Sequence, residues 1–236
     1  MDAATAWALF IAGFTDTAFA RRAAKRFRAG PLEAVHFAEG EISDTPFAEF
    51  FAFSCAPTEA LAAVAASQPP ARHYLTVLED RPGLRETIER GGFRLDDTET
   101  LMALDLAAAS LPAPEWEVSL LRPAEEAEWH NANDPQGTRW ALPNNLADPR
   151  MAHYAIVCDR QLLARGRNFH VDASHSYVSR VYTAEAHRGQ GFARALMARL
   201  LADDHARGAR WSVLTEPLYR RLGYRALGTI LIFEAT

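Results

Sequence analysis

The chain has 236 residues, 49% of them hydrophobic, enough to bury a sizeable core as one large or two small domains; the composition is neither disordered nor fibrous. Its net charge of -5 and isoelectric point near 5.9 argue against a nucleic-acid partner, which demands a basic surface. Cys55 and Cys158 stand far apart in apolar runs without metal-type spacing, so they read as reduced thiols of a cytoplasmic chain.

The apolar run over 6–14, followed by Ala18-Phe19-Ala20, imitates a secretory leader. However, Asp2 replaces the usual positive charge, and the basic residues Arg21, Arg22, Lys25, Arg26 and Arg28 follow the apolar run instead of preceding it. No apolar stretch approaches the roughly 20 residues of a membrane helix, so neither secretion nor membrane insertion is expected. Residues 3–28 have alanine-rich composition with Trp7, Phe10, Ile11 and Phe14 at helical spacing, and predict one helix stopped by Gly30-Pro31. Strands are expected over 32–38 and 47–54, separated by a turn-rich segment over 40–46, then a helix over 57–67 ended by Pro69-Pro70. A strand over 73–78, a short helix over 82–90 closed by Gly91-Gly92, and a strand over 98–106 complete the first half. The alanine- and proline-containing stretch 107–114 reads as a linker.

The second half predicts a strand over 116–121, a helix from Pro123 to about His130, and an irregular segment over 131–149 rich in turn dipeptides. Strands over 151–158, 162–170 and 177–183 form an antiparallel meander with turns at Asp159-Arg160 and Asp172-Ala173-Ser174. An amphipathic helix over 192–207 follows, ended by Gly208. A strand over 210–215, a very short helix over 217–222 ended by Gly223, and a strand over 227–234 close the chain.

Between the strand ending at Thr183 and the helix opening at Phe192 lies His187-Arg188-Gly189-Gln190-Gly191-Phe192-Ala193. Small residues at 189, 191 and 193 let the backbone turn sharply, so that successive N–H groups at a helix N-terminus point at an anion, with the Arg188 charge beside them. The string departs from the Rossmann G-x-G-x-x-G, and no P-loop Lys-Ser/Thr follows.

Arg188-x-x-Gly191-x-Ala193 resembles the Q/R-x-x-G-x-G/A acyl-CoA signature of the GNAT superfamily of N-acyltransferases. Leu218-Tyr219-Arg220-Arg221-Leu222-Gly223-Tyr224 is similar to that family's L-Y-x-x-x-G-F/Y. The resemblance covers residues 116–236 and includes the order of elements. It implies an α/β (α+β) fold with a mixed, mostly antiparallel sheet flanked by helices. It also implies acetyl-CoA as cosubstrate, held without metal by Arg188, Gly189, Gln190, Gly191, Phe192 and Ala193, with its pantetheine arm along Val181 and Thr183. Tyr219 matches the family's general-acid tyrosine. The expected reaction is acetyl transfer to an amine, of a small molecule first and of a peptide or protein second. A non-catalytic acyl-CoA-binding module is the alternative reading. Oligomerisation is left open.

Two departures stand out. The strand over 177–183 lacks the carboxylate that many relatives use to deprotonate the amine, and the short run over 215–219 lacks the asparagine often found upstream of the tyrosine. His175 or Asp172 is the candidate substitute for the base, Glu185 reads as a solvated loop charge, and His170-x-Asp172-x-x-His175 is too sparse for a metal site. Trp129, His130, Asp134, Arg139 and Trp140 mix aromatic walls with charge in the segment expected to shape the acceptor site.

Both halves end in strand, short helix, Gly-aromatic, strand: Gly92-Phe93 aligns with Gly223-Tyr224. Ile88 then falls on Tyr219, and residues 54–59 fall on the cradle without its glycine or arginine. Residues 1–110 are therefore expected to be a degenerate, non-catalytic GNAT-like unit, and residues 115–236 the acetyltransferase domain.

Overall fold

A computed structural model describes residues 1–19, 24–38, 45–121 and 124–236. In chain order the first elements are α1 (Ala3–Phe19), β1 (Ala24–Ala29), β2 (Leu32–Phe37), β3 (Phe47–Ala52), α2 (Pro57–Ala66), β4 (Arg72–Leu78), α3 (Leu84–Arg90) and β5 (Phe93–Asp105). There follow β6 (Ser119–Leu121), α4 (Ala124–Ala132), α5 (Pro143–Ala147), β7 (Met151–Cys158), β8 (Gln161–Asp172), β9 (His175–Thr183), α6 (Phe192–Ala206), β10 (Trp211–Leu214) and β11 (Arg225–Ala235), with 3-10 turns at Glu185–His187 and Pro217–Leu222. The mixed, mostly antiparallel pairing is the fold class expected.

The chain packs as two compact units. One comprises Met1–Met102, Thr215–Pro217 and Ala226–Thr236, the other Ala103–Leu214 and Leu218–Arg225. These units do not follow the linear division at 110–115, because the last strand belongs with the first unit. There β11 lies between β4 and β5, antiparallel to β4 with Leu231 opposite Val77 and Phe233 opposite Leu75. Leu231 and Phe233 share a buried core with Phe50, Leu75, Ile88 and Phe93. Alternation of inward and outward side chains directs these apolar residues to one face.

The helix expected over 3–28 is corrected by the structure: it ends at Phe19, and Ala24–Ala29 is a strand. Gly30-Pro31 is its hairpin turn, since Ala29 faces Leu32 across the two residues. Gly30 has φ +56°, the left-handed first turn position that suits the twist of paired strands. Pairing with β2 outweighs the helical propensity of alanine, lysine and arginine here. Arg21, Arg22 and much of the 40–46 turn lie outside the described residues, as does Pro123 at the expected start of α4.

In the second unit the strand order is β10-β9-β8-β7-β6, and the expected meander is antiparallel throughout. The irregular segment 131–149 contains a short helix that was not expected. Pro143 stands in its first turn, where the missing N–H is harmless and the fixed φ is already helical. Among the described residues, no helix is long and apolar enough to cross a membrane.

Candidate active site

The cradle lies at the start of α6, a 15-residue helix whose buried residues include Phe192, Ala195, Leu196, Leu200 and Leu201. Gly189 and Gly191 have φ of +81° and +87°. A Cβ at Gly189 would meet nothing within 4 Å, so conformation, not crowding, selects glycine. The helix begins without a side-chain cap, leaving the amides of its first turn directed outward with the positive end of the helix dipole. Arg188 is largely exposed and its guanidinium lies 5.8 Å from the Tyr182 ring centroid. Glu185 is exposed in the loop, as expected.

Parallel pairing of β9 with β10 covers only Trp211↔His175, Ser212↔Ser176 and Val213↔Tyr177 among the described residues. Residues 178–183 continue on β8 but have separated from β10, opening a main-chain edge that contains Val181 and Thr183. The Thr183 Oγ1 is buried without a hydrogen-bond partner, an orphan that a ligand on this edge would satisfy. A bulge accompanies the opening: β8 Arg167 faces Ser179 and Arg165 faces Tyr182, so two β9 residues oppose Gly166 alone. Arg180, in the bulge, has φ +59°. Gly166 permits the close approach there, since a Cβ would lie 2.8 Å from Leu196 Cδ2 and 3.1 Å from Val181 Cγ2.

Tyr219 is 8% exposed, in the 3-10 turn after β10. Its ring lies 6.4 Å from that of Tyr224, whose hydroxyl shares a 2.6 Å hydrogen bond with Ser212 of β10. Burial raises the Tyr224 pKa, partly offset by the bond to Ser212, and keeps this phenol protonated. His175 belongs to the hairpin, with Nδ1 2.8 Å from Asp172 Oδ1. At about 3.3 Å per residue it is roughly 20 Å along β9 from Val181, so its place as a base near the open edge is not supported. His170 Nε2 lies 2.9 Å from buried Asp204, which also accepts from Asn168; these residues anchor α6 to β8.

Sequence reasoning missed Arg165. This β8 residue is buried, and its Nε donates to Asp134 Oδ1 at 2.7 Å. Its Nη2 donates to Gln136 Oε1 at 2.6 Å, its Nη1 to the Arg180 carbonyl at 2.8 Å, and its guanidinium stands 5.4 and 5.3 Å from the ring centroids of Trp140 and Tyr182. Burial disfavours the Asp134 charge, but hydrogen bonds from Arg165 and Thr138 hold its carboxyl below the usual range. The Trp140 ring also lies 5.6 Å from that of His153, tilted by 43°. Burial, then the Arg167 charge, pushes the His153 pKa down to about 3. His130 is buried 6.0 Å from Trp140, Trp129 is half-buried and Arg139 is exposed. Nothing local marked Arg165 out, since Arg167, Asn168 and His170 stand in the same strand.

Residues 151–226 match the family model described as the acetyltransferase (GNAT) domain. This segment belongs to the GNAT superfamily. The match contains the cradle, the opening between β9 and β10, and Tyr219. Solved structures share the fold well beyond the GNAT segment. A GCN5-related N-acetyltransferase from Kribbella flavida is similar at 21% identity, covering 100% of this chain and 96% of its own, with a TM-score of 0.68. An acetyltransferase of the GNAT family from Novosphingobium aromaticivorans is similar at 20% identity, covering 97% and 96%, with a TM-score of 0.57. A tandem GNAT protein from the clavulanic acid biosynthesis pathway is similar at 15% identity, covering 91% and 83%, with a TM-score of 0.58. No curated protein sequence matches the chain.

Proposed function

We propose that this protein is an acetyl-CoA-dependent N-acetyltransferase that modifies the amine of a small molecule by direct attack, with Tyr219 as general acid. The observation that carries the reading is the open β9 edge next to a helix N-terminus turned by two left-handed glycines. The amides of Gly189, Gln190, Gly191, Phe192 and Ala193, with Arg188, suit the diphosphate. Main-chain groups at Val181 and Thr183 suit the amides of a pantetheine arm, as in strand addition. The cosubstrate supplies an activated acetyl group and a thiolate leaving group. The Tyr219 phenol gives the departing sulfur its proton and regains one from solvent. With no carboxylate on β9, the amine attacks in its neutral form and releases its extra proton to water as the C–N bond forms and the C–S bond breaks.

The small-molecule assignment rests on buried Trp140, His130 and Asp134 in the acceptor segment, and on the pathway named for the similar tandem GNAT protein. We assign the first unit a non-catalytic role within a tandem arrangement. Its β3 and β4 pair in parallel over all six β3 residues, from Phe47↔Arg72 to Ala52↔Val77, leaving no opening for an arm. The free cysteines suit a reducing, cytoplasmic setting.

Calorimetric titration of the folded protein with acetyl-CoA, followed by thiol-release assays over a panel of small amines and peptides, tests the reading. Saturable binding with amine-dependent thiol release is expected. Binding without release from any amine would favour the non-catalytic module, which the missing β9 carboxylate otherwise supports. No binding would overturn the cosubstrate assignment.

A further inference from the structure

The left-handed Arg180 conformation, φ +59°, is uncommon for a residue with a Cβ and is strained. It persists only if its surroundings impose it. Gly166 on one side accepts the close approach of Val181 and Leu196. On the other, Arg165 donates to the Arg180 carbonyl at 2.8 Å. Arg165 is itself held from three positions in the acceptor segment: Asp134, Gln136 and Thr138 accept from its guanidinium. Asp134 is aligned in turn by the Thr138 N–H at 2.9 Å and hydroxyl at 2.6 Å, and the Trp140 and Tyr182 rings complete the surroundings of the guanidinium. A buried ion pair is weak evidence of stabilisation, because apolar residues of similar volume often replace it without loss. Its geometry here is directed at one carbonyl in the strand that carries the open edge.

We propose that Arg165 is a positioning residue: through the Arg180 carbonyl it holds the β9 bulge that aims the main-chain N–H groups after the bulge at the acyl carbonyl of the cosubstrate. The inference rests on the acetyl-CoA reading above and adds a coupling to it, because the residues holding Arg165 belong to the acceptor segment. Arginine suits the task, since its rigid fork serves Asp134 and the Arg180 carbonyl together, whereas a lysine ammonium presents a single point charge. An N–H held towards a developing oxyanion stabilises the transition state more than the ground state.

The test uses acetyl-CoA labelled with carbon-13 at the acyl carbonyl, with infrared difference spectra recorded on the full chain. Bound to the wild type, the carbonyl band is expected below its frequency in water, because the aligned N–H donors polarise it. The double variant Asp134→Leu/Arg165→Met removes both charges together and leaves no unpaired ion in the interior. It is expected to bind desulfo-CoA with unchanged affinity, to return the band towards its frequency in water, and to lower kcat by about 10²-fold at constant KM for acetyl-CoA. Arg165→Lys, which keeps the charge, is expected to restore only part of the shift. A double variant that is folded and retains the wild-type band overturns the positioning role. A wild type that binds acetyl-CoA without a shift overturns the aim assigned to the bulge and leaves the cosubstrate reading standing. A folded wild type that does not bind acetyl-CoA overturns that reading and this inference together.

Discussion

The Glu115 carboxylate stands 3.6 Å from the Arg194 guanidinium, in the first turn of α6. The next residue, Trp116, donates from Nε1 to the Gln190 carbonyl at 3.3 Å and packs 4.6 Å from the Phe192 ring. An acidic side chain is thus fixed beside amides that suit an anion. Glu115→Gln should tighten acetyl-CoA binding by about 2- to 5-fold at low ionic strength, with the difference fading in high salt. Calorimetric titrations at two salt concentrations check this, and weaker binding by the variant at low salt would reverse the assigned sign.

Gly191, at φ +87°, cannot accept a β-branched side chain without strain. Gly191→Val should destroy acetyl-CoA binding while the chain stays folded, because the first amides of α6 would be displaced. Equal affinity in the two proteins would remove the cradle from the site.

Tyr219→Phe retains the ring that packs near Tyr224 and removes only the hydroxyl. Turnover should fall by roughly 10²- to 10⁴-fold with acetyl-CoA affinity largely unchanged. A series of acetyl thioester donors with better leaving thiols should narrow the loss, since a thiolate of low basicity needs less proton donation. Equal turnover would reassign Tyr219 to packing.

Phe233 is fully buried in β11, opposite Leu75 of β4. Phe233→Ala should cost about 3–5 kcal/mol, felt more than 130 positions earlier in the chain. Hydrogen exchange should accelerate in β4 and β3; acceleration confined to β11 would contradict this coupling.

Buried His153 and half-buried Glu49 give stability opposite dependences on pH. His153, lowered from 6.5 to about 3, takes up a proton more readily in the unfolded chain. Its contribution is therefore present above pH 6.5 and is lost on acidification towards pH 3, by at most about 1.4 kcal/mol per unit. Glu49 is raised from 4.5 to about 7 by burial, opposed by its bond from Thr76 and reinforced by nearby Glu99. Its contribution is present below pH 4.5 and is lost as the pH rises through 7. Denaturation midpoints across pH 4 to 8 should lose their acidic limb in His153→Leu and their neutral limb in Glu49→Gln; unchanged slopes would show that neither group sets them.

The meander of β7, β8 and β9, α6, and the turn at Gly191 were legible because local rules specify them: alternation for strands, apolar spacing for the helix, glycine at left-handed positions. The family was legible by motif, in the glycine-containing string before α6 and the one around Tyr219, both of which lie within the segment that matches the GNAT domain. Ala24–Ala29 was misread because a short alanine- and arginine-rich segment has no strong period of its own, and its partner β2 decides its state.

Most of the elements, and the chemistry available to them, follow from neighbours within a few residues and could be read locally; β1 and α5 could not. Only the tertiary structure decided that β11 completes the first unit, that β9 leaves β10 after Tyr177, and that Arg165 reaches both Asp134 and the Arg180 carbonyl. Each of these depends on pairing or burial between residues distant in sequence, where register and desolvation, not local propensity, set the energy.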